Sequence, residues 1–309
     1  MTTSFEKHGE FDDLEARLRT ILPEEYQDSY DDIQPVSMGS AGLKYGRDGR
    51  VAWDEIWGSF CDLAMAGGPP HKGTLLEPGR KEEIDTQPDR HREVVDEISR
   101  GITMVTGLCA EESPVSGWVR MYCTSAAMAG WLARAIVMEN VSANFKGLAL
   151  HLPAGPAYRL EKEIKNVVTV IAKTCHYWRE HTSPARHQAI ADLLRAMELE
   201  SPLVQAPLFD HDLRPDRRQV VCSKIAESIH QVIGLRSSNH QYGGWLGLDC
   251  RDIRAAIWMM RVLVVSNVLS RREGTVVFVP LNPATDPKGE TVVRILVRAH
   301  GFALARNIF

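Results

Sequence analysis

The stretch "GWVRMYC" at residues 117–123 decides the fold, because a related stretch, "GWLGLDC", stands 127 positions later at residues 244–250. Each stretch opens on a glycine and continues with apolar residues, which predicts a short strand that begins at a turn. The similarity extends well beyond these strands. Between residues 85–153 and 212–280, 21 of 69 ungapped positions are identical. A match of this length at one fixed spacing predicts a tandem duplication.

Each copy predicts the same order of elements, α-β-β-α-β-α. A proline followed by an aspartate opens each copy, as suits the first turn of a helix. The predicted strands are 102–108, 117–123 and 146–153 in the first copy, and 229–235, 244–250 and 274–281 in the second. The predicted helices are 88–100, 124–141 and 160–181 in the first copy, and 215–228, 251–268 and 290–306 in the second. Asn140 and Asn267 lie near the ends of the middle helices, where asparagine tolerates a left-handed backbone.

This alternation predicts an α/β fold, and it leaves α+β open as the other class. We expect an N-terminal helix and linker at 1–33, a first repeat at 34–182 and a second repeat at 183–309. Related units usually pack about a two-fold axis, as the subunits of a homodimer do. The two repeats are therefore expected to form one globular body with a pseudo-two-fold axis and a pocket in the cleft between them.

The bulk composition argues against several classes of function. The 309 residues are 44% hydrophobic and 25% charged, which is typical of a globular protein. The net charge of −4 gives no general attraction to nucleic acid, and no apolar run is long enough to span a bilayer. Residues 1–22 predict an amphipathic helix rather than a secretory signal. We expect a cytoplasmic protein without nucleic-acid or membrane partners, and a homo-oligomer remains open.

The cysteines and histidines do not predict a metal centre. The six cysteines are scattered without a C-x-x-C pair, which favours reduced thiols in a chain without a secretory signal. Cys123 and Cys250 end predicted strands, where a small buried residue and a nucleophile are both open interpretations. His176 and His181 are five residues apart, a spacing that does not bring two imidazoles to one helical face. No nucleotide-binding or nucleophile motif is present, so no cofactor is expected.

The helix "EIKNVVTVIAKTCHYW" at residues 163–178 carries the first candidate site. Placed at helical intervals, its apolar residues form a broad arc that includes Cys175, and its polar residues gather on a narrow stripe. The candidates on this stripe are Lys165, Asn166, Thr169, Lys173 and His176. The corresponding helix of the second copy carries Arg294 and Arg298, four residues apart and without a carboxylate on the same helix face. Two basic stripes predict either an anion held between them or two solvated faces.

Other candidates lie in a glycine-rich segment and in the middle helices. The segment "AGGPPHKGTLLEPG" at 66–79 contains His71, Lys72 and Thr74, and glycine-rich loops can present backbone N–H groups to an anion. A helix stop followed by an extended proline turn explains the same residues. Arg134 and Arg261 occupy apolar helices, which favours structural ion pairs with Asp89 and Asp216 or, alternatively, anion ligands.

Two functions follow from these candidates. The first is an enzyme, a lyase or a hydrolase, that acts without a cofactor on a small anionic metabolite, a carboxylate or a phosphate, in the cleft between the repeats. His176 would be the general acid/base, because histidine as a residue type changes its protonation near neutral pH, and Lys173 would assist it. The substrate-binding residues would be Lys165, Asn166, Thr169, His71, Lys72, Thr74, Arg294 and Arg298. The alternative is a non-catalytic scaffold or accessory subunit that binds an acidic partner through basic helix faces.

Overall fold

The structure, a computed structural model, divides into two compact units. The first unit comprises Gln34–Ala64 and Gly68–Ser183, and the second comprises Met1–Ile33, Met65–Gly67 and Pro184–Phe309. The residues described are 4–28, 30, 42–56, 63, 65, 75–208, 215–239 and 242–308, with side chains omitted at 4–8 and 215–219.

Helices and short antiparallel strands build the first unit. Its α-helices are α2 (Lys81–Thr86), α3 (Pro88–Thr106), α4 (Ala126–Met138) and α5 (Lys165–His176). Single π-helical segments, Leu160–Ile164 and Tyr177–His181, precede and follow α5. Its strands are β1 (Ala110–Glu112), β2 (Trp118–Tyr122), β3 (Asn144–Lys146) and β4 (Ala149–Pro153), in the sheet order β1-β2-β4-β3.

The second unit contains the same kinds of element. α1 (Ser4–Ile21) comes from the start of the chain, and the other helices are α6 (Pro184–Glu200), α7 (Pro215–Ile233), α8 (Ile253–Val264) and α9 (Glu290–Ala305). The strands are β5 (Arg236–Ser237), β6 (Trp245–Asp249), β7 (Arg271–Glu273) and β8 (Val276–Pro280), in the order β5-β6-β8-β7. Because all the pairs within both sheets are antiparallel, the fold is α+β, and the α/β prediction is corrected.

The two sheets share their register as well as their order. Trp118 of β2 pairs with Pro153 of β4, and Trp245 of β6 pairs with Pro280 of β8. Strands β2 and β6 each follow a glycine with positive φ, Gly117 at 86° and Gly244 at 77°. Those conformations favour glycine, which explains why both stretches open on it.

The middle helices are confirmed, and their ends have clear physical causes. Side-chain oxygens of Ser125 and Asp252 accept hydrogen bonds from the backbone N–H groups of Met128 and Ala255, which caps α4 and α8 at their N-termini. Beyond the C-terminal ends, Asn140 and Asn267 adopt φ values of 59° and 63°. The predicted left-handed asparagines are therefore present in both units.

The predicted strands at 102–108 and 229–235 are wrong, because α3 and α7 continue through them to Thr106 and Ile233. Their β-branched residues resemble a strand locally, but Ile98 and Ile102 are four residues apart and both fully buried, which is a helical spacing. Four short strands, β1, β3, β5 and β7, were also not predicted. The observed order from α3 to α5, and again from α7 to α9, is therefore α-β-β-α-β-β-α, and each sheet has a short, polar edge strand, β1 or β5.

Helices α3 and α5 approach each other closely at Gly101. A Cβ atom at this position would lie 2.6 Å from Cγ2 of Val168 and 3.2 Å from the indole of Trp53. We therefore expect Gly101→Ala to lower the free energy of unfolding by about 1–3 kcal/mol in urea titrations, although alanine is the better helix former. Gly301→Ala on α9 is the control, since nothing lies within 4 Å of its added Cβ. Equal stability of Gly101→Ala and the unaltered protein would contradict this close packing.

Candidate functional site

Helix α5 places its candidate residues in three different environments. Lys165 and Lys173 are buried, Asn166 and Thr169 are half-buried, and His176 is exposed. The His176 ring lies 5.2 Å from the ring of His181. Since both lysines are buried, they do not belong to a solvated face, and the single polar stripe predicted for this helix does not exist as a surface.

Lys173 is part of a buried ion pair. Its Nζ lies 2.6 Å from Oε1 of Glu139, and the two side chains are only 1% and 2% exposed. Glu139 caps the C-terminus of α4, which packs on α5 in the first unit. Helical spacing along α5 does not reveal this carboxylate, because it comes from the end of α4. If the Lys173 side chain left Glu139 to bind an anionic ligand, the carboxylate of Glu139 would stay buried without this lysine, at a cost of about 3–5 kcal/mol. The geometry assigns Lys173 to the stability of the core.

The two arginines of the second candidate stripe lie on α9 and are exposed. Arg294 donates a hydrogen bond to Oγ of Ser201 at 3.2 Å. Arg298 is 44% exposed, and its Nε lies 3.5 Å from Oε2 of Glu10 on α1. The carboxylate near this stripe thus comes from another helix, which helical spacing along α9 alone does not reveal.

A shallow groove runs between α1, α8 and α9 within the second unit. It measures about 270 Å³ up to its open mouth, and its interior has room for about one water molecule. Its lining residues are Asp13, Leu14, Arg17, Val262, Ser266, Ile295, Arg298, Ala299 and Phe302. Pockets for small molecules usually enclose roughly 300–1,000 Å³. Because the interior of this groove holds only about one water molecule, it is too small to enclose a metabolite.

Ser113 and His151 form a buried pair in the first unit that the sequence analysis missed. Oγ of Ser113 lies 3.1 Å from Nδ1 of His151, and each residue is 6% exposed. Burial, together with the charge of Arg120, lowers the pKa of His151 to about 4. The imidazole is therefore neutral at neutral pH and able to accept the hydroxyl proton of Ser113. A hydroxyl beside a neutral imidazole has the geometry of a nucleophile and its base, but a pKa of about 4 makes this imidazole a weaker base than an ordinary histidine.

The fold, rather than a local motif, creates this pair. Arg120 of β2 lies opposite His151 of β4, and Ser113 follows β1 on the other side of β2. The backbone N–H of Val115 also donates to Oγ of Ser113 at 3.1 Å, which fixes the hydroxyl in a turn. Comparing the copies offered one signal for this site, because the position equivalent to His151 in the second copy is Phe278.

The described cysteines are free thiols, and those in the core do not act as nucleophiles. Burial raises the pKa values of Cys123 and Cys250 to about 12 and raises that of Cys175 as well. Because the thiolate is the reactive form, these groups remain inert at neutral pH. The interpretation of Cys123 and Cys250 as small buried residues is confirmed.

The buried arginines of the middle helices bind backbone oxygens. Nη1 of Arg134 donates to the carbonyl oxygen of Gly130 at 2.8 Å, whereas Asp89 lies at the surface and pairs with Arg92. The predicted pair between Arg134 and Asp89 is therefore wrong. Arg261 donates to the carbonyl oxygens of Met65 at 2.9 Å and Tyr26 at 3.1 Å. The pairing predicted between Arg261 and Asp216 involves a side chain outside the described residues.

The remaining site predictions and the comparisons complete this description. His71, Lys72 and Thr74 lie outside the described residues. Within the described ranges, no group of three or more His, Cys, Asp or Glu side chains is arranged to hold a metal ion. In the same part of the chain, no helix has both the length and the apolar character needed to cross a bilayer. Comparison with protein-family models, curated proteins and solved structures gave no match.

Proposed function

We propose that this chain is a non-catalytic scaffold or accessory subunit that binds an acidic partner through the exposed basic face of α9. One observation carries the proposal: Lys173, which was expected to assist catalysis, is paired with Glu139 in the core, whereas Arg294 and Arg298 remain at the surface. A guanidinium presents paired N–H donors to a carboxylate, so arginines spaced four apart on a helix suit an acidic surface.

The existing contacts of these arginines leave them available to a partner. Arg294 has a neutral hydroxyl as its acceptor, and Arg298 shares a half-exposed pair with Glu10 at 3.5 Å. Exposed ion pairs contribute only about 0–1 kcal/mol, since water and salt screen them. A partner with several carboxylates can therefore replace these contacts at little cost.

The proposal includes the origin of the two units. They descend from one duplicated unit, and the shared strand order, register and left-handed asparagines support this descent. A pseudo-two-fold relation between the units, a cytoplasmic location and a homo-oligomeric state belong to the same proposal and stay predictions.

Fluorescence anisotropy with labelled poly-L-glutamate tests the proposed function. We expect the protein to bind this probe with an affinity that falls as salt rises, and we expect Arg294→Glu with Arg298→Glu to weaken binding at least roughly tenfold, a loss of about 1.4 kcal/mol. The matched control is Arg195→Glu with Arg254→Glu, which makes the same charge change at exposed arginines of α6 and α8. Absent binding, or equal losses in both double variants, would rule out the α9 face.

The second candidate is the cofactor-free enzyme acting on a small anionic metabolite. The Ser113–His151 pair favours it, because a hydroxyl and a neutral imidazole stand 3.1 Å apart in the first unit, whereas Phe278 takes the place of His151 in the second. His176 remains exposed in this alternative, but Lys173 does not take part. A thermal-shift screen against carboxylate and phosphate metabolites separates the two functions. A concentration-dependent rise in Tm that Ser113→Ala abolishes would favour the enzyme over the scaffold.

A further inference from the structure

The N-terminal helix α1 already covers part of the α9 face with an acidic, amphipathic surface. The ring of Phe11 meets the ring of Phe302 edge to face, with centroids 5.7 Å apart. The guanidinium carbon of Arg306 lies 3.8 Å from the centroid of the Phe11 ring. Leu14, three residues after Phe11, is buried as well. α1 therefore inserts an apolar side between the basic residues of α9.

The charges of the two helices are complementary. Glu10 lies 3.5 Å from Arg298, and Glu15 lies 3.7 Å from Arg306. Two carboxylates thus flank the Phe11 anchor on α1, and two arginines flank Phe302 on α9. We infer that α1 is the resident occupant of the α9 face, and that the acidic partner is an amphipathic helix that displaces the first half of α1. This inference rests on the proposed function and names its partner class.

Among the described side chains of the first half of α1, residues 9–12, the ion pair with α9 is weak. It joins Glu10 to Arg298, and both side chains are about half exposed. A Cβ atom at Gly9 would have nothing within 4 Å, so packing does not require glycine there. Glycine inside a helix costs about 0.5–1 kcal/mol relative to alanine. Gly9 therefore weakens this half of the helix without a compensating contact.

The second half of α1 is anchored firmly. Leu18 and Ile21 are buried, and Nη2 of Arg17 lies 2.7 Å from Oε1 of Glu200 on α6. Arg186 donates to the carbonyl oxygens of Arg19 and Leu22 at the end of α1. Because these contacts hold the C-terminal end, a partner can displace the first half while α1 stays attached to the unit.

A labelled peptide of residues 4–22 tests the inference with the full-length protein, since the peptide has the chemistry that the partner must have. Phe11→Ala removes the resident anchor and is expected to raise the affinity for the peptide roughly tenfold, because more of the face is then free. Gly9→Ala stabilises the docked helix and is expected to lower the affinity several-fold. The two variants must therefore shift the affinity for the peptide in opposite directions. Gly9→Ala also favours folding, because alanine is the better helix former.

Poly-L-glutamate binding, measured in parallel, separates this inference from the proposed function. If polyglutamate binds but the peptide has equal affinity for the unaltered protein and both variants, α1 does not occupy the partner's face and the inference is wrong. If neither probe binds, the proposed function fails and the inference fails with it. The assignment of the α9 face would be supported if the Phe11→Ala variant binds the peptide and loses that binding when Arg298→Glu and Arg306→Glu are added.

Discussion

Replacing Lys173 by methionine is expected to lower the free energy of unfolding by about 3–5 kcal/mol, the largest effect that we predict for one substitution. The variant leaves the carboxylate of Glu139 buried without the ammonium that lies 2.6 Å away. Replacing both partners, with Lys173→Met and Glu139→Leu, is expected to cost far less, because neither charge of the pair then remains buried without the other. Urea denaturation of the two single variants and the double variant gives the coupling energy directly.

The control for this cycle is Lys146→Met, which removes an exposed lysine at the end of β3. Surface substitutions of this kind usually change stability by less than about 0.5 kcal/mol. If Lys173→Met were as mild as this control, the buried pair would not stabilise the fold. A double variant as unstable as the sum of the single variants would also exclude the pairing.

Stability is expected to fall by about 3 kcal/mol between pH 6.5 and pH 4 through His151 alone. Burial and Arg120 hold the pKa of His151 at about 4, below the 6.5 of an unfolded chain. The unfolded chain therefore binds more protons than the native protein in this window. The contribution is complete above pH 6.5 and is lost as the pH falls towards 4.

The measurement compares the free energy of unfolding at pH 7 and pH 4.5 for the unaltered protein and for His151→Phe. Phenylalanine is the matched replacement, because Phe278 occupies the equivalent position of β8 in the second unit. Burial also lowers the pKa of His91, but that group is present in both proteins and its contribution cancels in the comparison. An unchanged pH dependence in the variant would show that His151 is not held neutral.

The repeated pattern predicted the fold best where local chemistry determines the backbone. The glycines before β2 and β6 adopt positive φ because they have no Cβ atom, and Asn140 and Asn267 tolerate it through their short polar side chains. The strand prediction at 102–108 failed because β-branched residues near the end of α3 follow a helical spacing that a short window does not show.

The candidate site was less predictable, since its decisive contacts join residues far apart in the chain. A helical projection of α5 places Lys173 relative to its own neighbours, but the carboxylate that neutralises it caps α4. In the same way, Glu10 reaches Arg298 from a different helix. Both assignments depend on how helices pack, and that packing arises from the buried residues of the whole unit rather than from the spacing of polar ones.

The second unit is built from separated stretches of the chain, and this affects how it folds during synthesis. α1 is synthesised before α9, so its contacts with Phe302 and Arg306 involve residues that are made much later. All residues of the first unit have been synthesised once residue 183 has emerged. The intervening residues Met65–Gly67 belong to the second unit. Domains generally fold as units during translation. The nascent chain is therefore expected to carry the apolar side of α1 without its contacts to α9 until α9 has emerged, and chaperones would meet this helix before α9 does.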